Sequence, residues 1–80
     1  MSTHFEATID LHEFTTIHNA LEHLERELFL FFEDNKKTIQ IIHGIGEGKL
    51  APAVHEALKK NPMVVSREES WDGGSCIIRL

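Results

Sequence analysis

Residues 5–12 alternate, with Phe5, Ala7, Ile9 and Leu11 on one side and Glu6, Thr8, Asp10 and His12 on the other. A period of two predicts a strand with one buried face. From Thr16 the period lengthens: Ile17, Ala20, Leu21, Leu24, Leu28, Phe31 and Phe32 follow the three-and-four spacing of a helix stripe, and Thr15 or Thr16 can cap its start. Asp34-Asn35-Lys36-Lys37 is a polar turn. Thr38 to Ile42 is β-branched and nearly continuous in hydrophobicity, which predicts a central strand. Leu50, Ala53, Val54, Ala57 and Leu58 form a second helix stripe, with Pro52 tolerated in its first turn and Asn61-Pro62 as its stop.

A third strand is expected over Met63 to Glu69 and a fourth over Ser75 to Leu80, where Cys76, Ile78 and Leu80 alternate after the turn Ser70-Trp71-Asp72-Gly73-Gly74. The predicted order is β-α-β-α-β-β. A helix between the first two strands makes them parallel, and the last strand returns antiparallel, so the sheet is mixed and four-stranded. Each helix has a single apolar stripe, which favours an α/β two-layer sandwich over a sheet covered on both sides.

Eighty residues make one domain, read as residues 5–80 behind a polar tail of residues 1–4. Hydrophobic residues at 41% and charged residues at 26% suit a globular chain, and no apolar run approaches the ~20 residues of a membrane span. The polar start resembles no signal peptide and the single cysteine fits a reducing compartment, so a cytoplasmic location without membrane contact is expected. Cys76 reads as a buried strand residue. The net charge of −5 argues against strong nonspecific attraction to a phosphate backbone, although a local basic or N–H-lined site is compatible with it.

The stretch with chemistry in it is Ile41-Ile42-His43-Gly44-Ile45-Gly46-Glu47-Gly48-Lys49-Leu50. A strand that ends at a histidine and passes through alternate glycines into a helix offers backbone N–H groups and a positive dipole end to an anion. Gly44, Gly46, Gly48 and Lys49 are therefore candidate phosphate contacts. Nucleotide loops are excluded by spacing: the glycines lack the G-x-G-x-x-G interval, and Gly48-Lys49 is followed by Leu50 instead of Ser or Thr. Ligand sites of open α/β sheets lie at the carboxyl ends of parallel strands, which brings Asp10 and His12 to the edge where His43 stands. His12 or His43 could exchange a proton at neutral pH, with Asp10 holding the tautomer. His18 and His23 are five apart, unlike a helical zinc pair. No cofactor is expected, and ligand spacing gives a divalent metal no support.

Ile9-Asp10-Leu11-His12, His43-Gly44-Ile45-Gly46-Glu47-Gly48-Lys49-Leu50 and Gly74-Ser75-Cys76-Ile77-Ile78-Arg79-Leu80 resemble, in order and spacing, the Smr (small MutS-related) domain. The resemblance implies a fold like the C-terminal domain of a bacterial translation initiation factor, a bacterial source, and endonuclease or nicking activity on DNA or RNA. It also implies that Asp10, His12 and His43 stand at the family's functional positions, and that neighbouring domains of a longer protein are partners. Glu13 and Ala51 stand where the family commonly has glycine and arginine. A non-catalytic binding or protein-interaction module with the same fold is the alternative. Trp71 either stacks on a base or covers the end of the core.

Overall fold

In the computed structural model the alternation of the strands becomes a sheet with one covered and one open face. The structure describes residues 5–44, 49–70 and 73–80. Its elements are β1 (Ala7–Asp10), α1 (Ile17–Glu33), β2 (Thr38–Ile42), α2 (Leu50–Lys60), β3 (Ser66–Glu69) and β4 (Ser75–Arg79), in the predicted order. Strands line up as β1-β2-β4-β3. β1 runs parallel to β2, with Ile9 opposite Ile41 and Asp10 opposite Ile42, and β4 is antiparallel to both β2 and β3.

One parity of three of the strands is buried: Ile9 and Leu11 from the β1 segment, Ile39 and Ile41 from β2, and Cys76 and Ile78 from β4. Ala20, Leu24 and Leu28 of α1 and Val54 and Leu58 of α2 close over them in one cluster. Each fully buried aliphatic side chain contributes about 1.5–3 kcal/mol, so this covered face holds the fold together. The opposite parity, including Thr8, Asp10 and Gln40, is left facing outward as the two-layer reading expects.

Helix α1 starts as predicted, with the Thr16 hydroxyl accepting the Asn19 N–H at 3.1 Å. It ends in a Schellman turn: Lys36 N–H donates to Phe31 O and Asn35 N–H to Phe32 O, with Asn35 in the left-handed region at φ 59°. The buried stripe is shorter than expected: Ile17 and Phe32, at its two ends, stay exposed.

Three strands are shorter than expected, β4 by the single residue Leu80. The ordered strand in 5–12 is only Ala7–Asp10, although Glu6 N–H to Thr38 O and Leu11 N–H to Ile42 O continue the parallel ladder on either side. The third strand begins at Ser66 instead of Met63. Asn61 folds Met63 and Val64 into a turn through bonds from Met63 N–H to its side chain and Val64 N–H to its carbonyl. The paired residues are then Ser66-Arg67-Glu68-Glu69, all exposed, and such a charged edge discourages pairing with another chain.

Candidate functional site

Strand parity decides which side chains meet at the carboxyl edge of β1 and β2. Asp10 points to the open face, and the chain turns so that His12 returns to the same side. One carboxylate oxygen of Asp10 accepts both the His12 backbone N–H, at 3.0 Å, and its Nδ1, in a close contact. Nδ1 therefore carries the proton, and Nε2 is left to face outward with a lone pair in the neutral ring. Both side chains are about half exposed. The hydrogen bond to Asp10 and then its negative charge raise the His12 pKa above its ordinary 6.5, with a smaller contribution from Glu13. The same hydrogen bonds hold the Asp10 carboxyl below its ordinary value.

The pair borders an open cleft of about 580 Å³ on the uncovered face, with Gln40, Ile42, Gly44, Gly74 and Ser75 as the other walls. Gly44 is left-handed at φ +76°, and a Cβ there would lie 3.5 Å from the His12 Cβ. The Asp-Leu-His and His-Gly elements thus meet through His12 and Gly44.

His43 takes the other side. It follows Ile39 and Ile41 in parity, so its ring enters the covered layer, and the residue is only 4% exposed. Nδ1 lies 3.0 Å from the Gly44 carbonyl, to which it donates, while Nε2 has no hydrogen-bond partner among the described residues. Its ring meets that of His55 from α2 edge-on, with centroids 5.3 Å apart. Cys76 of β4 completes this neighbourhood. The structure brings Asp10 and His12 together and sets the His43 ring across the sheet from them.

The chain at His43 and Gly44, where the glycine stretch begins, is tied into the sheet. The N–H groups of His43 and Gly44 both donate to the Gly74 carbonyl, at 3.2 and 2.9 Å, so Gly44 contributes shape and close approach more than a free donor. Lys49 is exposed at the N-cap of α2, which receives no side-chain cap from it. Gly46, Gly48 and Trp71 lie outside the described residues.

Burial, and secondarily the Arg67 charge, lower the His55 pKa, and burial pushes the Cys76 thiol up to about 11. Reading the motif alone misses Gln40 and Ser75 as cleft walls and His55 and Cys76 as neighbours of His43. The available signal was parity: His43 shares a face with Ile39 and Ile41, whereas Gln40 and Ile42 share one with Asp10.

A model of the Smr domain family matches residues 9–79. The chain is 38% identical over 61 residues to Endonuclease MutS2 of Aquifex aeolicus (strain VF5), a match covering 74% of this chain. It spans only 8% of that relative's length. The crystal structure of the Smr domain of Thermus thermophilus MutS2 superposes with a TM-score of 0.85 at 26% identity, covering 94% of this chain and 98% of that one. With the two-layer fold and both motif elements in place, the chain belongs to the Smr domain family.

Proposed function

We propose that this Smr domain binds nucleic acid across the open face of its sheet and cleaves phosphodiester bonds with His12 as the proton-transfer group. The observation that carries the reading is the Asp10–His12 pair at the rim of the open cleft, one carboxylate oxygen fixing both backbone and ring of the histidine. That arrangement fixes the tautomer, presents Nε2 to the cleft, and stabilises the imidazolium formed when His12 takes a proton. As a base His12 would activate water or a ribose hydroxyl, and as an acid it would protonate the leaving oxygen. The hydrogen bond and charge of Asp10 favour the protonated ring relative to a free histidine.

Gly44 lets the chain pass close to His12 without a side chain between them, and Lys49 supplies positive charge at the start of α2. His43 acts as a positioning residue: its Nδ1 holds the Gly44 carbonyl and so the backbone at Gly44. The name Endonuclease MutS2, carried by a relative of which this chain matches a small part, supports the same reaction class.

The test is incubation of the domain with supercoiled plasmid and with single-stranded RNA, each with divalent metal and with chelator. Cleavage by the native chain that His12→Ala abolishes supports the reading. Retention of nucleic acid without any cutting would replace it with the non-catalytic binding module, and cutting undiminished in His12→Ala would remove His12 from the chemistry.

A further inference from the structure

We propose that His43, His55 and Cys76 form a zinc-binding site on the covered side of the sheet, independent of the Asp10–His12 pair. One ligand atom from each, a ring nitrogen from either histidine and Sγ from the cysteine, all lie within 4.8 Å of one another. Three elements deliver them: the end of β2, the middle of α2 and β4. Zinc takes imidazole at about 2.0–2.1 Å and thiolate at about 2.3 Å, so a tetrahedral set places its ligand atoms roughly 3.3–3.6 Å apart. Side-chain adjustments of about an ångström close the set on an ion.

The outer partners of both rings are those a metal-bound histidine requires. His43 Nδ1 donates to the Gly44 carbonyl at 3.0 Å, and His55 Nδ1 lies 3.3 Å from a Glu69 carboxylate oxygen. A carbonyl or carboxylate on one ring nitrogen sets the tautomer that offers the other to a metal. The other nitrogens, His43 Nε2 and His55 Nε2, are both buried without a hydrogen-bond partner among the described residues. Buried unpaired polar atoms are uncommon and destabilising, and both of these belong to histidines of this cluster. The thiol has a single proton, so without a metal Cys76 can satisfy only one of the two acceptors.

Two nitrogens and a sulfur suit zinc and disfavour magnesium and calcium, which take oxygen. On binding, the Cys76 S–H bond breaks, its proton leaves to solvent, and the sulfur electron pair forms the bond to zinc. Three protein ligands leave the fourth tetrahedral position to solvent. The His55 side chain, 25% exposed, marks the way in. No spacing along one helix reveals such a site, because its ligands meet only when α2 packs over β2 and β4. Bound zinc would staple the start of the glycine turn to both.

The full chain, stripped with chelator and dialysed, is titrated with cobalt(II) as a spectroscopic probe and with zinc against a chromophoric chelator. One equivalent of cobalt should give tetrahedral visible bands and a thiolate-to-metal charge-transfer band, zinc should displace it, and zinc should raise the thermal midpoint. Cys76→Ala and His55→Ala should each weaken zinc by more than about 100-fold, and Glu69→Gln, at the outer partner, by about 10–100-fold. His12→Ala and His18→Ala should bind as the native chain does. Far-ultraviolet circular dichroism checks the fold of each variant, and the exposed Glu69→Gln serves if a buried change unfolds the chain. A spectrum without the thiolate band, or zinc affinity unchanged in Cys76→Ala, His55→Ala or Glu69→Gln, overturns the site. Because the readouts are spectral and thermal, they are unaffected by whether the open face cleaves nucleic acid.

Discussion

His12 follows β1 and His43 follows β2 at the same edge of one sheet. Yet the first has a side chain 53% exposed beside a carboxylate, whereas the second is buried near a thiol. On the open face, histidine keeps contact with water and gains a charged partner, so its proton affinity rises. In the covered layer it loses water, finds a carbonyl for one nitrogen and leaves the other unpaired. A family motif that names both histidines therefore describes two environments. Proximity along an edge does not make one site, because a strand sends successive side chains to opposite faces.

The sharpest separation is an exchange of effects between the two histidines. His12→Ala should reduce cleavage by about 10²–10⁴-fold, the range of a lost acid or base, while leaving the urea midpoint close to that of the native chain. His43→Ala should instead cost about 2–4 kcal/mol, from the cavity left by the ring and the loss of its bond to the Gly44 carbonyl. Paired plasmid-cleavage and urea-unfolding measurements read both. A His43→Ala chain as stable as the native one would mean that the buried ring contributes nothing to the fold.

Cys76 extends the contrast to reactivity. In the metal-free chain its pKa of about 11, against an ordinary 9.0, leaves about 100-fold less thiolate at pH 8 than an unperturbed cysteine, before steric shielding is counted. Labelling by a thiol reagent should be slower than for the urea-unfolded chain by at least that factor. Equal rates would show that the covered layer opens faster than the reagent reacts.

Gly44 joins the two sides, lining the open cleft with His12 and accepting from His43 with its carbonyl. Gly44→Ala has room for the methyl, 3.5 Å from the His12 Cβ, but must hold φ at +76°. That conformation should cost about 1–2 kcal/mol, read as a lower urea midpoint. An unchanged midpoint would mean the left-handed turn is not the reason for glycine at this position.

Much of this arrangement was legible from residue order. Alternation in residues 5–12, the stripe from Ala20 to Leu28 and the Thr16 cap follow from local geometry, so β1, α1 and the parallel β1–β2 pair were within reach. The Asp10–His12 contact was equally local, two residues apart on one face. Met63-Val64-Val65 misled because apolar β-branched residues suggest a strand, whereas register against β4 pairs the charged residues after them. The engagement of Gly44 N–H by the Gly74 carbonyl depends on β2 pairing with β4, and the meeting of His43, His55 and Cys76 depends on how α2 crosses the sheet. Neither is written in local spacing.

The smallest expected effect concerns protons on the open face. The His12 ring should titrate by NMR above 6.5 in the native chain, and Asp10→Asn, which removes both the charged acceptor and its negative field, should return it toward that value. If His12 acts as a base, the rising limb of the cleavage–pH profile should move to lower pH by the same amount. If it acts as an acid, the falling limb should. The linkage to stability has opposite signs for the two partners. A raised His12 pKa stabilises fully below 6.5 and ceases to do so as pH rises through the folded value. A lowered Asp10 pKa stabilises above its ordinary 3.8 and ceases to do so as pH falls through the folded value. The midpoint difference between the native chain and Asp10→Asn should therefore be greatest between those two ordinary values and shrink on either side, by little in absolute terms because both groups face water. A His12 titration unmoved by Asp10→Asn would show that the carboxylate does not govern the histidine's proton, and the two histidines would then differ in burial alone.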